Sequence, residues 1–556
     1  MTASLDTRDD ATADEAPSEH TGRSWRDRTS SQWLWAVVLP LIVVTMAGAI
    51  RFHQLGQPER CYFDETYYYY DARDYLSVGT ETSFAVHPPV GKWLIAIGVA
   101  TFGVDEGSPI DAAVTEEPDG CVVREGEEDN PAARAREAEE AFARRVMSAV
   151  FGTGAVAVAY FVGLRLFRRR STALLGATLL AVDGLAVTMS RISMLDIFLQ
   201  FFVLLGVLAL LIDRDRLWDG APDFVPDEPP DTPPDRDRKW LWAAGLFLGL
   251  AVATKWSGLA PLGLAWAFVA FSELAWRRRW TGSPWPDLVR GVSRAILALV
   301  LVPIVVYLTS YAGWFANFED TRKADRCNLV ATTEASAQAD DAATVPALPG
   351  DATEPGCDGF VESFEQITGG WWEEQGEIFR FHRDLEAEHP YRAPATTWPL
   401  MTRPVAYYYE SCAADREPGT ECAVEEGNVA EVLGMGNPAT WWPALLGYPV
   451  LLWFAFARRR WQALTIALFL FGQSVPYLLS PRPVFLFYLT PVVPFIALSL
   501  AYLADRALDS RSARWVPAAM TIVALVGFAY WSPLFLGLEI PRGLWDALIW
   551  VRPGWI

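Results

Sequence analysis

WLWAVVLPLIVVTMAGAI, the run from Trp33 to Ile50, carries no charged side chain. An apolar bilayer core about 30 Å thick needs a helix of about 20 such residues, because each residue rises about 1.5 Å. Comparable runs recur at Ile197 to Ile212 and Trp461 to Leu479. A soluble helix of that length would show a polar face along one side. Hydrophobic residues make up 52% of the chain and Trp occurs 25 times, which overrules a set of soluble domains. The pattern predicts an all-α polytopic membrane protein.

Orientation follows from Arg and Lys, which are retained on the cytoplasmic side. Basic clusters lie at Arg23, Arg26 and Arg28, at Arg168 to Arg170, at Arg277 to Arg279, at Arg458 to Arg460, and at Arg506, Arg511 and Arg514. Apolar runs between them predict about eleven spans, roughly 33–50, 144–165, 172–189, 194–212, 240–255, 258–275, 290–311, 441–457, 461–479, 484–503 and 515–534. The N-terminus is then cytoplasmic and the C-terminus extracytoplasmic. Residues 1–32, rich in Asp, Glu, Ser, Thr and Arg, are expected to be a disordered cytoplasmic tail. No cleavage site of small residues follows the first span, so it is expected to stay as an anchor. A membrane core at 33–311 includes a first external loop, 51–143. A second external loop spans 312–440, and 441–556 holds the remaining helices. The Pro-rich, acidic segment 213–239 reads as a cytoplasmic loop.

The formal charge of −21 implies no nucleic-acid partner. Much of it falls between Asp105 and Asp129, where a solvated external surface is its plainest meaning. All six cysteines, Cys61, Cys121, Cys327, Cys357, Cys412 and Cys422, fall in the two external loops. That sorting suits disulfides in an oxidising compartment. Proximity in sequence suggests Cys61 with Cys121, Cys327 with Cys357, and Cys412 with Cys422.

Candidate chemistry begins where the first span ends, at Tyr62-Phe63-Asp64-Glu65-Thr66-Tyr67-Tyr68-Tyr69-Tyr70. Read blandly, this is an interfacial aromatic belt with a solvated acidic pair. Read chemically, it is a carboxylate at the lipid–water boundary, able to take a proton from a hydroxyl. His87-Pro88-Pro89-Val90-Gly91-Lys92-Trp93 follows, then an apolar run from Leu94 to Phe102 too short to span, expected to lie on the outer leaflet. Arg144, Arg145 and Arg191 fall at outer helix mouths, where guanidinium groups can grip a lipid-linked phosphate or snorkel to headgroups. Asp183, Asp196 and Lys255 lie in or near apolar spans, where ionisable groups face the protein interior. Structural pairing is the commoner explanation for each.

Taken in order, these motifs resemble the protein O-mannosyltransferases of the GT-C superfamily. The series continues through Arg191-Ile192-Ser193-Met194-Leu195-Asp196, Thr254-Lys255-Trp256-Ser257-Gly258, His389-Pro390-Tyr391-Arg392, Trp398-Pro399-Leu400 and Arg403-Pro404-Val405. It ends with Tyr407-Tyr408-Tyr409, Gly436-Asn437-Pro438, Trp441-Trp442-Pro443 and Arg482-Pro483. Bacterial members are the more similar, because the loop 312–440 has no room for the β-trefoil module of the eukaryotic enzymes. Stretches 104–135 and 329–359 look like acidic insertions.

The resemblance implies a GT-C fold and transfer of mannose from polyprenyl-phosphate mannose to Ser or Thr hydroxyls of secreted or membrane proteins. Asp64 would be the general base, with Glu65 helping to place donor and acceptor. Arg145, then Arg144 and Arg191, would meet the donor phosphate. His87, Lys92, Tyr67, Lys255, Arg392 and Arg482 would complete substrate binding, and Asp196 would be structural. The leaving group is an ionised phosphate, which needs positive charge rather than a proton, so one carboxylate and basic groups suffice. The expected place is the outer face of the plasma membrane, among lipid and beside a protein translocation channel. No cofactor beyond the lipid-linked donor is expected. The five histidines show no paired spacing, so no metal is expected either. Two other functions fit the sequence. One is a GT-C enzyme moving another sugar to a glycan or lipid. The other is a transporter using Asp64, Glu65, Asp183 and Asp196, against which stand the acidic pair's place at one interface and the lack of an internal repeat.

Overall fold

The computed structural model describes residues 33–103, 131–323, 360–386, 389–412 and 424–555. The expected tail 1–32, the acidic stretch 105–129, most of the insertion 329–359, and Cys121, Cys327, Cys357 and Cys422 lie outside them.

In chain order the main helices are α1 (Leu34–Phe52), α2 (Glu65–Ser77), α3 (Val90–Phe102), α4 (Pro131–Phe167), α5 (Arg170–Ala181), α6 (Gly184–Met189), α7 (Asp196–Leu217) and α8 (Lys239–Thr254). They continue with α9 (Trp256–Thr281), α10 (Leu288–Ser310), α11 (Phe360–Asp384), α12 (Pro438–Ala457), α13 (Trp461–Gly472), α14 (Leu486–Ala507) and α15 (Arg511–Leu536). Among the described residues, eight helices are long and apolar enough to cross a membrane: α1, α4, α7, α9, α10, α12, α14 and α15. The remaining expected spans are helical but shorter or interrupted. Segment 172–189 breaks into α5 and α6, 240–255 is the short α8, and 461–479 is α13 followed by Val475–Leu478.

The break between α5 and α6 has a side-chain cause. Asp183 accepts from Ala186 N at 3.0 Å to cap α6, and Trp441 donates its indole N–H to the same carboxylate at 2.7 Å. Asn437 donates to Val182 O at the interruption at 3.1 Å and to Ala524 O in α15 at 2.9 Å. Interrupted backbone at membrane depth is tolerated where protein supplies such partners. Asp183 and the Asn437–Trp441 motif therefore serve the fold.

Helices α14 and α7 form the centre, with 94% and 78% of their apolar windows buried, against 17% for α1 and 28% for α10 and α15. The outer helices turn large apolar side chains such as Leu41, Val305, Ile522 and Val526 outward. That surface suits hydrocarbon rather than water.

Helices do not account for everything. A three-stranded antiparallel sheet joins β1 (Val405–Ser411), β2 (Asn428–Gly434) and β3 (Ile540–Pro541), with Tyr409 opposite Glu431 and Val429 opposite Ile540. An all-α reading of the sequence misses it. Strand β3 follows α15, so this sheet ties the end of the chain to the loop between α10 and α12 and puts both at one end of the bundle. Phe63, Tyr407 and His389 meet at that same end.

Candidate active site

Asp64 is the N-cap residue of α2, a position where an Asp side chain ordinarily accepts from the first turn's N–H groups. Here it makes no such bond. The residue is half-buried, with the Tyr68 hydroxyl, one turn along α2, donating to its carboxylate at 3.5 Å. Phe63 just before it holds a left-handed φ of 58°, a strained choice for a bulky residue. The ring of Phe63 meets His389, Tyr407, Phe485 and Phe487 edge-on at 5.4–6.0 Å. Packing thus holds the strained turn and sets Asp64 beside an aromatic cluster.

Burial pushes the Asp64 carboxyl up to about 6, with Lys255 and Arg482 pulling it down and Asp196 raising it. These charges come from distant parts of the chain. Asp196 opens α7, where a helix N-terminus favours an anion. Lys255 occupies the extended link between α8 and α9, and its ammonium reaches both Asp196 oxygens at 2.9 and 3.1 Å. The same ammonium lies 5.1 Å from the Tyr488 ring centre and 5.6 Å from that of Phe487. Arg482 donates to the Tyr488 hydroxyl at 2.7 Å and meets His382 Nδ1 at 2.6 Å. His87 stacks on His382 at 5.2 Å, with its Nδ1 buried and without a hydrogen-bond partner. Burial, followed by the charge of Lys255, holds the His87 imidazole well below its ordinary value.

Glu65, the next residue along, has the opposite setting. It is fully buried, accepting from Arg145 at 2.8 and 2.9 Å, from Ser193 N at 3.0 Å and from Tyr62 N at 3.4 Å. Burial alone would push its carboxyl up, but Arg145 and Arg144 more than offset this and leave it below the ordinary value. Each oxygen already accepts two hydrogen bonds.

Of the arginines expected at the donor phosphate, Arg145 and Arg191 are engaged in the same way, while the buried Arg144 Nε has no hydrogen-bond partner. Arg145 uses all five N–H donors, on Glu65 and on the carbonyls of Leu55, Pro58 and Arg60, and is fully buried. Arg144 donates to Glu59 O, lies 3.6 Å from Glu65 and sits over the Tyr69 ring. Arg191 reaches the carbonyls of Ile50, Arg51, His53 and Gln54 at the end of α1, and that of Leu536 at the end of α15. Cations at helix C-termini stabilise them. Each sits near a helix mouth, as its position suggests, but faces protein.

Three further candidates lie elsewhere. Lys92 is a fully buried partner of Asp71, at 3.4 Å, and of Glu81. Tyr67 points outward at 59% exposure, and Arg392 is exposed. The structure therefore brings together Asp64, His87, Asp196, Lys255 and Arg482, and adds Tyr68, Tyr488 and His382. Nothing in the sequence singled out His382, because its relevance depends on contacts with residues 100 to 296 positions away. Tyr68 could have been read from its place one turn after Asp64.

Cys61 and Cys412 each take part in a disulfide, and no described cysteine is free. Their expected partners lie outside the described residues. Among those residues, no group of three or more His, Cys, Asp or Glu side chains is arranged to hold a metal ion.

Residues 25–123 and 125–317 match the family model described as dolichyl-phosphate-mannose-protein mannosyltransferase. Residues 367–555 match the C-terminal four-span region of protein O-mannosyltransferase. The chain is 29% identical over 544 residues to a polyprenol-phosphate-mannose–protein mannosyltransferase of Mycobacterium tuberculosis, covering 92% of this chain and 91% of that one. A protein of the same name from Corynebacterium glutamicum is 27% identical over 564 residues, covering 94% and 93%. A chain of the Saccharomyces cerevisiae protein O-mannosyltransferase Pmt1-Pmt2 complex, solved with its sugar donor, superposes with a TM-score of 0.67 at 15% identity, covering 93% and 92%. At that identity the superposition speaks for the fold alone.

Proposed function

We propose, from the premise that this chain belongs to the dolichyl-phosphate-mannose-protein mannosyltransferase family, that Asp64 is the base of its transfer reaction and that Lys255 and Arg482 face the donor phosphate. The protein is a membrane-embedded mannosyltransferase that moves mannose from polyprenyl-phosphate mannose to protein hydroxyls. The observation that supports the assignment of roles is one cluster holding a half-buried, uncapped Asp64 within electrostatic reach of Lys255 and Arg482.

A Ser or Thr hydroxyl gives its proton to the Asp64 carboxylate while its oxygen attacks the anomeric carbon. The bond from that carbon to the phosphate oxygen breaks on the opposite face, and the configuration inverts from β to α. Burial that holds Asp64 near 6 makes it a stronger base than an ordinary carboxylate, yet leaves it ionised at neutral pH. Negative charge gathers on the departing polyprenyl phosphate, where Lys255 and Arg482 stabilise it. Asp196 holds Lys255 by two of its three N–H groups. Arg145, Arg144 and Glu65 brace the turn that presents Asp64.

The site opens on the extracytoplasmic side of the plasma membrane. Supporting this are the Arg clusters at the other end of the bundle and the disulfide-bonded Cys61, three residues before Asp64. Acceptors then meet the site as they emerge from a translocation channel.

The test is radiolabel transfer from polyprenyl-phosphate mannose to a Ser/Thr peptide, using membranes with the wild-type protein, the Asp64→Asn variant or neither. Transfer that needs the protein and is lost in the variant is expected; undiminished transfer by Asp64→Asn removes it from this role.

A further inference from the structure

We infer that His382, on the last turn of α11, is a positioning residue for the transfer reaction: it holds Arg482 in the orientation that meets the donor phosphate. This rests on the proposed function above. Arg482 brings Nη1 to within 2.6 Å of His382 Nδ1. A guanidinium can only donate, so Nδ1 must be the unprotonated nitrogen. The proton then resides on Nε2, which lies 3.1 Å from the carbonyl of Val86 and donates to it. Both ring nitrogens are thereby assigned, and the imidazole is neutral.

The electrostatics agree. Burial, then the charge of Arg482, pushes His382 down to about 4. The His87 ring stacks on it at 22° and 5.2 Å, and Trp256 lies 6.0 Å away on another side. On its other arm Arg482 donates to Tyr488 at 2.7 Å. Arg482 is thus held at two points, and the described protein contacts use two of its five N–H donors. The others are left for a ligand's oxygens. An exposed arginine would lose rotamer freedom on meeting a phosphate, whereas this one has lost it already.

Helix α11 is held at its middle as well. Tyr307 donates to Gln375 at 2.7 Å while accepting from Trp256 at 2.8 Å, and Arg322 donates to Glu374 at 2.7 Å. A helix from the loop between α10 and α12 therefore reaches Arg482 and His87 through His382.

Two substitutions separate positioning from packing. His382→Phe keeps a ring against His87 and removes both nitrogens, while His382→Asn replaces Nδ1 with an oxygen acceptor. The readout is the affinity of the full-length protein in nanodiscs for a polyprenyl phosphate lacking sugar, with KM for donor and for acceptor peptide alongside. His382→Phe and Arg482→Gln should each weaken lipid-phosphate binding about 10-fold, as expected for losing one charge-assisted hydrogen bond. Donor KM should rise in parallel, acceptor KM should stay put, and His382→Asn should recover most of the loss. The double variant should be no weaker than Arg482→Gln alone, because the two residues act as a unit. Wild-type lipid-phosphate affinity in His382→Phe, additive losses in the double variant, or failure of His382→Asn to recover affinity would each overturn the inference. Binding is read without turnover, so wild-type protein that transfers no mannose would defeat the proposed function while the coupling is still decided.

Discussion

Asp64 and Glu65 are neighbours in the chain and opposites in the fold. Glu65 is sealed, with each oxygen bonded to Arg145 and further N–H groups completing its shell. Asp64 makes no capping bond, is only half-buried and takes a single long hydrogen bond from Tyr68. A buried charge with all its partners is part of the architecture, whereas one left short of partners is available for chemistry. One peptide bond separates the two settings because α2 begins between them and points the carboxylates at different surroundings.

The contrast is broken most sharply by exchanging what each variant loses. Asp64→Asn should lower mannosyl transfer by about 10²–10⁴-fold, the usual range for a general base, without lowering the thermal midpoint. The sign follows from linkage. The native carboxyl keeps its proton up to about 6, against 3.8 for an unperturbed one, so ionisation above that range counts against the fold, and a neutral Asn relieves it. Thermal unfolding of both proteins near pH 7.5 checks this, and a midpoint well below wild type would count against it.

Glu65→Ala should act the other way. It strands Arg145 without its anion and should remove about 3–5 kcal/mol of stability, read as lost folded yield and a lower midpoint. Glu65→Ala protein that folds normally but cannot transfer mannose would make Glu65 chemical after all. The pH profile comes next in size. Transfer should climb as pH rises through about 6 and then level off, because only the ionised Asp64 accepts a proton; a flat rate between pH 5 and 8 would disagree. Tyr68→Phe should have the smallest effect. Its hydroxyl favours the carboxylate form of Asp64, so removing it raises that carboxyl further and moves the acidic limb of the profile to higher pH.

Much of this was legible in residue order. Apolar runs located the spans, and the motif series placed Asp64, Asp196, Lys255 and Arg482 among the site candidates. Assigning the phosphate to Arg145, Arg144 and Arg191 was reasonable from their positions at helix mouths. Position along a helix says where a guanidinium is and not what already occupies its N–H groups. Those groups are filled by carbonyls roughly 85 to 90 residues away for Arg145, and up to 345 away for Arg191. The sheet was missed for a related reason. Strand β3 is two residues long and gains its pairing only after α15 returns the chain to β2.

What residue order determined by itself was that the chain lives in a membrane, which family it joins and where the acidic pair sits. Hydrophobic length and a contiguous motif are local properties, readable without knowing what lies across the bundle. Only the tertiary structure decided which carboxylate is closed and which open, which cations retain free donors, and that His382 stands behind Arg482. Those are questions of hydrogen-bond saturation, and a donor's saturation is set by whatever distant segment folds against it.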